Sequence, residues 1–298
     1  MKVLSLPIAV TFIVCTACPV NADDNWVCSL DRKSQTAQKL FAVSQVAKAQ
    51  WLKVSQDGQM FAFSGTNTAN ERGSRIWTCK ADGSNMRDLG RGTMPSWSPR
   101  GRRIVFSREA PESGVWIMRA DGGEQQILDN HGWGASWSPD GTKIAWHRTV
   151  AGAAEIVIHR IAEDDFDVVF GDRSSGVSQV LRQISWFRNS QGVTFVAQEK
   201  NRESICSVRL TDHTPPIVWR YQPQPGTGVW GAEWLDDQTM MILQHINARE
   251  RQLFTVTVKA DSATAVEPIR LSEEFGRRSN ESVSASSDGA KLFFLSRD

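Results

Sequence analysis

The sequence predicts an all-β protein, folded as a six-bladed β-propeller in which each blade is a four-stranded antiparallel sheet. Three observations support this prediction: a turn motif that recurs along the chain, a second hairpin between successive copies, and enough chain at the two ends together for one further blade. The composition is that of a globular protein, since 40% of the 298 residues are hydrophobic and 22% are charged.

The turn motif is clearest in two segments, Ser96–Phe106 and Ser136–Trp146, which read SWSPRGRRIVF and SWSPDGTKIAW. Weaker copies occur before and after them. With the Trp position of the motif as an anchor, the six copies fall at Val54, Trp97, Trp137, Trp186, Trp234 and Ala285. The anchors are about 40 to 50 residues apart, which is the length of one propeller blade.

Each anchor predicts the same local structure. A short apolar strand ends at the anchor, a turn of the type Pro139-Asp140-Gly141 reverses the chain, and an alternating strand follows. A second hairpin lies between anchors, as in Arg75–Gly83 and Val115–Gly122, so each unit contains four strands.

The chain ends predict how the ring closes. After the anchor at Ala285 there is room for one strand but for no outer hairpin. The segment ahead of the anchor at Val54 opens with Trp26–Asp31, which is similar to the hairpins between the other anchors. We therefore expect the N-terminal hairpin to complete the last blade, which would give six blades and leave no blade unfinished.

Residues 1–22 are predicted to be a secretory signal peptide, and residues 23–298 the propeller. Lys2 precedes an apolar run that Pro7 interrupts, and small residues lead up to a cleavage site after Ala22. Two alternatives are a lipoprotein attached through Cys18 and an uncleaved membrane anchor. The apolar run is shorter than the roughly 20 residues of a spanning helix, so we expect a cleaved, periplasmic or secreted protein without an integral membrane segment.

The charge and the cysteines exclude several classes of protein. Lys and Arg total 34 and Asp and Glu total 33, which argues against a nucleic-acid partner bound by a basic face. The mature chain retains Cys28, Cys79 and Cys206, too few for a disulfide framework and without the spacing of a zinc site. We expect buried thiols, and neither a metal nor a cofactor.

The turn Trp137–Gly141 and the Ala-Asp-Gly-Gly hairpin at Ala120–Gly123 resemble the TolB-type (PD40, WD40-like) propeller repeat. The resemblance covers nearly all of residues 24–298, and it is strongest in the second and third units and faint in the fourth and fifth. The α/β domain that precedes the propeller in TolB has no counterpart between the predicted leader and the first repeat. The resemblance implies a periplasmic, protein-binding propeller, and it does not imply membership of the Tol-Pal system.

One mouth of the central channel is the predicted binding site. Counting back four residues from each anchor gives a ring of Gln50, Thr93, Trp133, Arg182, Trp230 and Glu281, and His131 and His245 fall on the same side. Trp133 and Trp230 stand in the near copies WGASW and WGAEW. Two exposed indoles near an Arg and a Glu suit an extended peptide or a sugar. The alternative is that both indoles pack between blades, as the anchor tryptophans are expected to do.

The predicted function is that of an exported, monomeric, non-catalytic propeller that binds a cell-envelope protein or peptide. The alternative is a metal-assisted polysaccharide lyase or hydrolase that uses His131 and His245 at the mouth. The chain contains no Gly-x-Ser-x-Gly elbow, no Walker loop and no His-Glu-x-x-His motif. The recurrent carboxylates Asp57, Asp140 and Asp288 are explained by their turns.

Overall fold

A computed structural model describes residues 25–68, 71–171, 177–200, 202–210, 217–223, 228–245, 251–259, 262–268 and 279–297. These residues form 24 strands. The predicted leader lies outside the described residues. Within the described ranges no helix is long and apolar enough to cross a membrane.

Two strands precede the first complete blade: β1 (Asn25–Asp31) and β2 (Thr36–Ala42). Blade 1 contains β3 (Ala47–Val54), β4 (Met60–Thr66), β5 (Arg75–Lys80) and β6 (Arg87–Arg91). Blade 2 contains β7 (Thr93–Trp97), β8 (Arg103–Arg108), β9 (Gly114–Arg119) and β10 (Gln126–Asp129). Blade 3 contains β11 (Trp133–Trp137), β12 (Lys143–Val150), β13 (Ala153–Arg160) and β14 (Asp165–Phe170).

Blade 4 contains β15 (Gln179–Trp186), β16 (Gly192–Glu199), β17 (Arg202–Arg209) and β18 (Ile217–Tyr221). Blade 5 contains β19 (Val229–Trp234), β20 (Thr239–His245), β21 (Arg251–Lys259) and β22 (Ser262–Pro268). The last two strands are β23 (Ser279–Ala285) and β24 (Lys291–Arg297). Each of the first five blades is a four-stranded antiparallel meander, and one parallel bridge between Arg251 and Ser279 joins blade 5 to blade 6.

Blade 6 is built from both ends of the chain, in the order β23-β24-β1-β2. Strand β1 pairs antiparallel with β24 without interruption, from Asn25 opposite Arg297 to Asp31 opposite Lys291. The Nε atom of Arg297 also donates a hydrogen bond of 3.1 Å to Oδ1 of Asn25. The predicted six-bladed ring, completed by the N-terminal hairpin, is therefore confirmed.

The repeated turn is held together by its own Ser and Asp side chains. In blade 3 the Ser138 hydroxyl donates to Oδ1 of Asp140 over 2.6 Å, and that same oxygen accepts the Thr142 N–H over 2.9 Å. The Lys143 N–H in turn donates to the Ser138 hydroxyl over 2.9 Å. Gly141 has a φ of 74°, in the left-handed region that glycine adopts without a Cβ clash.

The hydrophobic core lies between the faces of neighbouring blades. The second strand of each blade supplies at least one large, fully buried apolar side chain, among them Phe61, Phe106, Trp146, Phe195, Ile242 and Phe294. Two of the anchor tryptophans link adjacent blades through hydrogen bonds. Nε1 of Trp186 donates to the Ser136 carbonyl over 3.0 Å, and Nε1 of Trp234 donates to Oγ1 of Thr194 over 2.9 Å. Cys28, Cys79 and Cys206 are buried in this packing.

Candidate functional site

The central channel has two mouths. We call the end at which the innermost strands begin the upper mouth, and the end at which they reach the repeated turns the lower mouth. An ion pair of 2.7 Å between Lys53 Nζ and Glu233 Oε2 lies between them and lines the cavities at both ends. Gln183 fills part of the channel, since its side-chain amide donates to the carbonyls of Met94 and Ala135 over 3.0 and 2.9 Å.

The lower mouth holds the larger cavity, of about 590 Å³. Its wall consists of the repeated turns, whose carboxylates at Asp140 and Asp288 already accept hydrogen bonds from within their own turns. Arg188 reaches across this mouth from blade 4, and its Nη2 donates to the Ser286 carbonyl of blade 6 over 2.9 Å. The two carboxylates therefore stabilise their own turns, and Arg188 links two of the turns across the mouth.

Every innermost strand is irregular near the upper mouth. In each of them the pairing register with the second strand shifts a few residues before the anchor. Six residues there have a positive φ: Lys48, Trp51, Met94, Gly134, Arg182 and Ser282. A residue other than glycine pays roughly 1–3 kcal/mol for such a conformation, and strain of this kind gathers at functional sites. The bulges also change which side chains face the mouth.

Two indoles meet over the upper mouth. Trp51 of blade 1 and Trp230 of blade 5 stack with ring centroids 6.1 Å apart and planes 15° from parallel. The His245 ring approaches Trp230 edge-on, at 5.3 Å and 73°. Both indoles are half-buried, so they keep an accessible surface. Beneath them the cavity has a volume of only about 30 Å³.

Two guanidinium groups lie against the same indole. The Cζ atoms of Arg182 and Arg251 are 4.4 and 4.1 Å from the centroid of the Trp230 ring. Cation–π contacts of this kind contribute about 0.5–2 kcal/mol each, depending on how far the cation is desolvated. We call Trp51, Arg182, Trp230, His245 and Arg251 the Trp230 cluster.

The charge of Arg182 is only partly balanced. Its Nη2 lies 3.4 Å from Oε1 of Glu203, while the other oxygen of that carboxylate accepts the Val229 N–H over 2.8 Å. Burial lowers the pKa of the Arg182 guanidinium, Glu203 opposes that change, and the nearby charge of Arg251 lowers the pKa further. Two like charges therefore stand close together on one aromatic ring.

Two donors in the cluster are buried without an acceptor from the described part of the chain: Nε of Arg182 and Nε1 of Trp230. A buried donor that makes no hydrogen bond costs about 1–3 kcal/mol, so such groups call for an explanation. Their position beside two cations makes an anionic or carbonyl oxygen the partner that suits them.

The structure places the predicted site residues in three groups. Arg182, Trp230 and His245 come together in the Trp230 cluster. Trp133 is half-buried and pairs with His147, whose ring Nε2 donates to the Arg182 carbonyl over 3.0 Å, so Trp133 stands one contact away from the cluster.

The other predicted residues lie apart from the cluster. Gln50 pairs with Ser64, and the Ser64 hydroxyl lies 3.2 Å from the buried hydroxyl of Thr93. His131 is exposed, and its N–H donates to Oδ1 of Asp129 over 2.7 Å. Glu281 pairs through its backbone with Leu295, and its side chain lies outside the described residues.

The two histidines fall in different blades, since His131 directly precedes blade 3 and His245 ends the second strand of blade 5. Among the described residues, no three His, Cys, Asp or Glu side chains are grouped to hold a metal ion. The lyase or hydrolase alternative therefore gains no observation in its favour from this part of the chain.

Sequence reasoning missed Trp51, Glu203 and Arg251. Trp51 directly follows the predicted Gln50, and the bulge in β3 brings its ring, rather than the Gln50 side chain, onto Trp230. Glu203 and Arg251 lie at the start of the third strands of blades 4 and 5, outside the window counted back from each anchor. A search of the hairpins between the second and third strands would have found both.

Comparison with known proteins gives structural likeness only, because no protein-family model and no curated protein sequence matches the chain. A protein of Agrobacterium tumefaciens described as a candidate TolB superposes with a TM-score of 0.69 at 13% identity, over 93% of this chain and 99% of that one. TolB of Acinetobacter baumannii superposes with a TM-score of 0.58 at 9% identity, over 92% of this chain and 63% of that one.

Hydrazine synthase of Kuenenia stuttgartiensis is also similar, with a TM-score of 0.60 at 9% identity over 84% of this chain and 74% of that one. Proteins of such different kinds share this architecture, and at these identities the likeness shows the fold alone. In fold, the chain is a TolB-like propeller.

Proposed function

We propose that this protein is an exported, non-catalytic β-propeller of the TolB-type repeat family that binds a cell-envelope protein or peptide at its upper mouth. The observation that carries the proposal is the Trp230 cluster, in which two half-buried indoles and two guanidinium groups converge at one end of the channel. Trp and Arg are the side chains most enriched among the residues that dominate binding energy in protein interfaces.

The scaffold supports this proposal because it holds the cluster rigidly. Trp51, Arg182 and Trp230 come from the innermost strands of blades 1, 4 and 5, which the surrounding sheets fix in place. Groups that are already ordered lose little conformational entropy when a partner binds, so more of the contact energy appears as affinity. Trp133 adds a further half-buried indole at the start of β11.

The proposed contact surface extends around the predicted ring. Around the Trp230 cluster it takes in Gln50, Trp133, Glu281 and His131, while Thr93 lies buried beneath it against the Ser64 hydroxyl. A peptide that crosses the mouth would meet these residues after the aromatic pair. The fold likeness to TolB and the predicted signal peptide with cleavage after Ala22 support a periplasmic or secreted protein, which we propose to be monomeric.

A site-specific photo-cross-linker tests the proposal. p-Benzoylphenylalanine is introduced at Trp133, beside the cluster, and in a matched variant at Phe166, an aromatic residue on the outer strand of blade 3 that is 51% exposed. We expect irradiated cells to give a discrete cross-linked species from Trp133 and none from Phe166, and we expect Trp230→Ala to abolish it. Equal cross-linking from both positions, or none from Trp133, would contradict binding at the upper mouth.

A further inference from the structure

We infer that the Trp230 cluster binds a carboxylate group of the partner peptide, either its C-terminal carboxylate or an Asp or Glu side chain, next to an apolar side chain. This inference rests on the proposed function and specifies the chemistry of the partner.

Two like charges lie close together in the cluster. Arg182 and Arg251 both lie within 4.5 Å of the Trp230 ring centroid, at 4.4 and 4.1 Å. Guanidinium groups remain protonated at any physiological pH, so the cluster cannot relieve their mutual repulsion by losing a proton. A ligand anion placed between them relieves it directly.

The Glu203 carboxylate, which the chain itself provides, satisfies Arg182 only in part. Glu203 contacts one nitrogen of Arg182 at 3.4 Å, a long contact for a charged pair, and its other oxygen is engaged by the Val229 N–H. Glu203 is therefore held by the backbone of blade 5 and leaves Nε of Arg182 without an acceptor in the described part of the chain.

The space beneath the cluster is small. The cavity under the two indoles has a volume of about 30 Å³, close to the share of one water molecule in the liquid. A sugar ring does not fit beneath the cluster, whereas a planar carboxylate matches the fork of a guanidinium group. The accessible surfaces of Trp51 and Trp230 then remain for the apolar side chain beside that carboxylate.

Three acetylated hexapeptides test the inference. The first is acetyl-Gly-Gly-Ser-Gly-Gly-Phe with a free C-terminus, the second is its C-terminal amide, and the third is acetyl-Gly-Gly-Ser-Gly-Asp-Phe amide. Binding is measured on the intact protein by NMR, from the shift of the Trp230 indole N–H signal, which Trp230→Phe assigns. We expect at least one acidic peptide to bind with a Kd about ten-fold or more below that of the neutral amide.

The comparison between the two acidic peptides distinguishes the source of the carboxylate. If the free C-terminus is recognised, the first peptide binds best. If a side chain is recognised, the third does. A neutral amide that binds as tightly as both acids would overturn the inference, and so would a failure of all three peptides to shift the Trp230 signal. The cross-linking experiment would still decide the proposed function in either case.

Two charge variants change affinity in opposite directions. Arg182→Gln removes one cation and should weaken binding of the acidic peptide about ten-fold, whereas Glu203→Gln removes the competing carboxylate and should strengthen it several-fold. In Glu203→Gln the side-chain carbonyl can still accept the Val229 N–H, so this variant keeps the backbone hydrogen bond. It therefore tests the inference even if Arg182→Gln does not fold. Arg87→Gln, on the outer strand of blade 1, is the control. A Glu203→Gln protein that binds the acid more weakly would overturn the inference.

Discussion

The indole of Trp51 in blade 1 packs parallel to that of Trp230 in blade 5, with 6.1 Å between the ring centroids. These blades are not neighbours, because blade 6 stands between them. The contact therefore spans the upper mouth over the sheet in which the chain ends meet, and it links ring closure to the candidate site.

Truncation of Trp51 should loosen this contact. We expect Trp51→Ala to lower the free energy of unfolding by about 2 kcal/mol, roughly half the cost of removing a fully buried aromatic ring, because Trp51 is only half-buried. Denaturant unfolding followed by circular dichroism measures the change. Phe166→Ala, at a position that is 51% exposed, is the control and should cost much less. Equal losses in both variants would contradict a structural role for the stack.

Removal of the N-terminal hairpin should unfold the domain. Deletion of residues 23–41 removes β1 and most of β2, which exposes the edge of β24 and the buried side chains of Leu292 and Phe294. We expect loss of the cooperative thermal transition, measured by circular dichroism. A chain that lacks only residues 1–22 is the control. A chain without residues 23–41 that keeps the native Tm would contradict the closure.

The buried imidazole of His147 should make stability depend on pH in one window. Burial lowers the pKa of His147 from 6.5 to about 4, with the hydrogen bond to the Arg182 carbonyl opposing the change. Between these two values the unfolded chain binds a proton that the folded chain does not. Stability is therefore unaffected above pH 6.5 and falls as the pH drops towards 4, by up to about 3 kcal/mol in total.

Urea unfolding at several pH values measures this dependence, and His147→Gln is the matched variant. Glutamine can still donate to the Arg182 carbonyl but does not titrate. The variant should therefore show a flatter profile between pH 6.5 and 4 than the parent protein. Identical slopes would show that another group controls stability in this window.

The Cys79 thiol should resist alkylation in the folded protein. Burial raises its pKa to about 12, with the Asp82 carboxylate adding to the effect, so very little thiolate exists at pH 8. We expect iodoacetamide to modify Cys79 in urea but not in buffer, as measured by peptide mass mapping. Rapid modification in buffer would show that the interface between blades 6 and 1 opens readily.

The architecture could be predicted from the sequence because its determinants are local. Asp140 acts within its turn through a side-chain hydrogen bond, and Gly141 through a positive φ. The same residues therefore form the same turn wherever the motif recurs. The spacing between such turns equals the length of one blade, so the number of turns gives the number of blades. The similarity in sequence between Trp26–Asp31 and the other hairpins likewise predicted that the N-terminal hairpin completes the last blade.

The candidate site could be predicted only in part because its determinants are tertiary. Trp230 and Arg182 were found by counting from the anchors, since both lie on innermost strands. Trp51 was missed because a bulge breaks the alternation on which such counting depends, and the motif does not encode where a bulge turns the next side chain. Arg251 was missed because its proximity to Trp230 depends on how two hairpins of blade 5 pack.

The pairing of β1 with β24 also determines when the last blade of the ring can form. Strand β1 (Asn25–Asp31) is synthesised before every other described strand, and its partner β24 (Lys291–Arg297) after all of them. The hydrogen bonds between these two strands therefore form only when nearly all of the described chain has been made. Until then blade 6 is incomplete and the ring stays open.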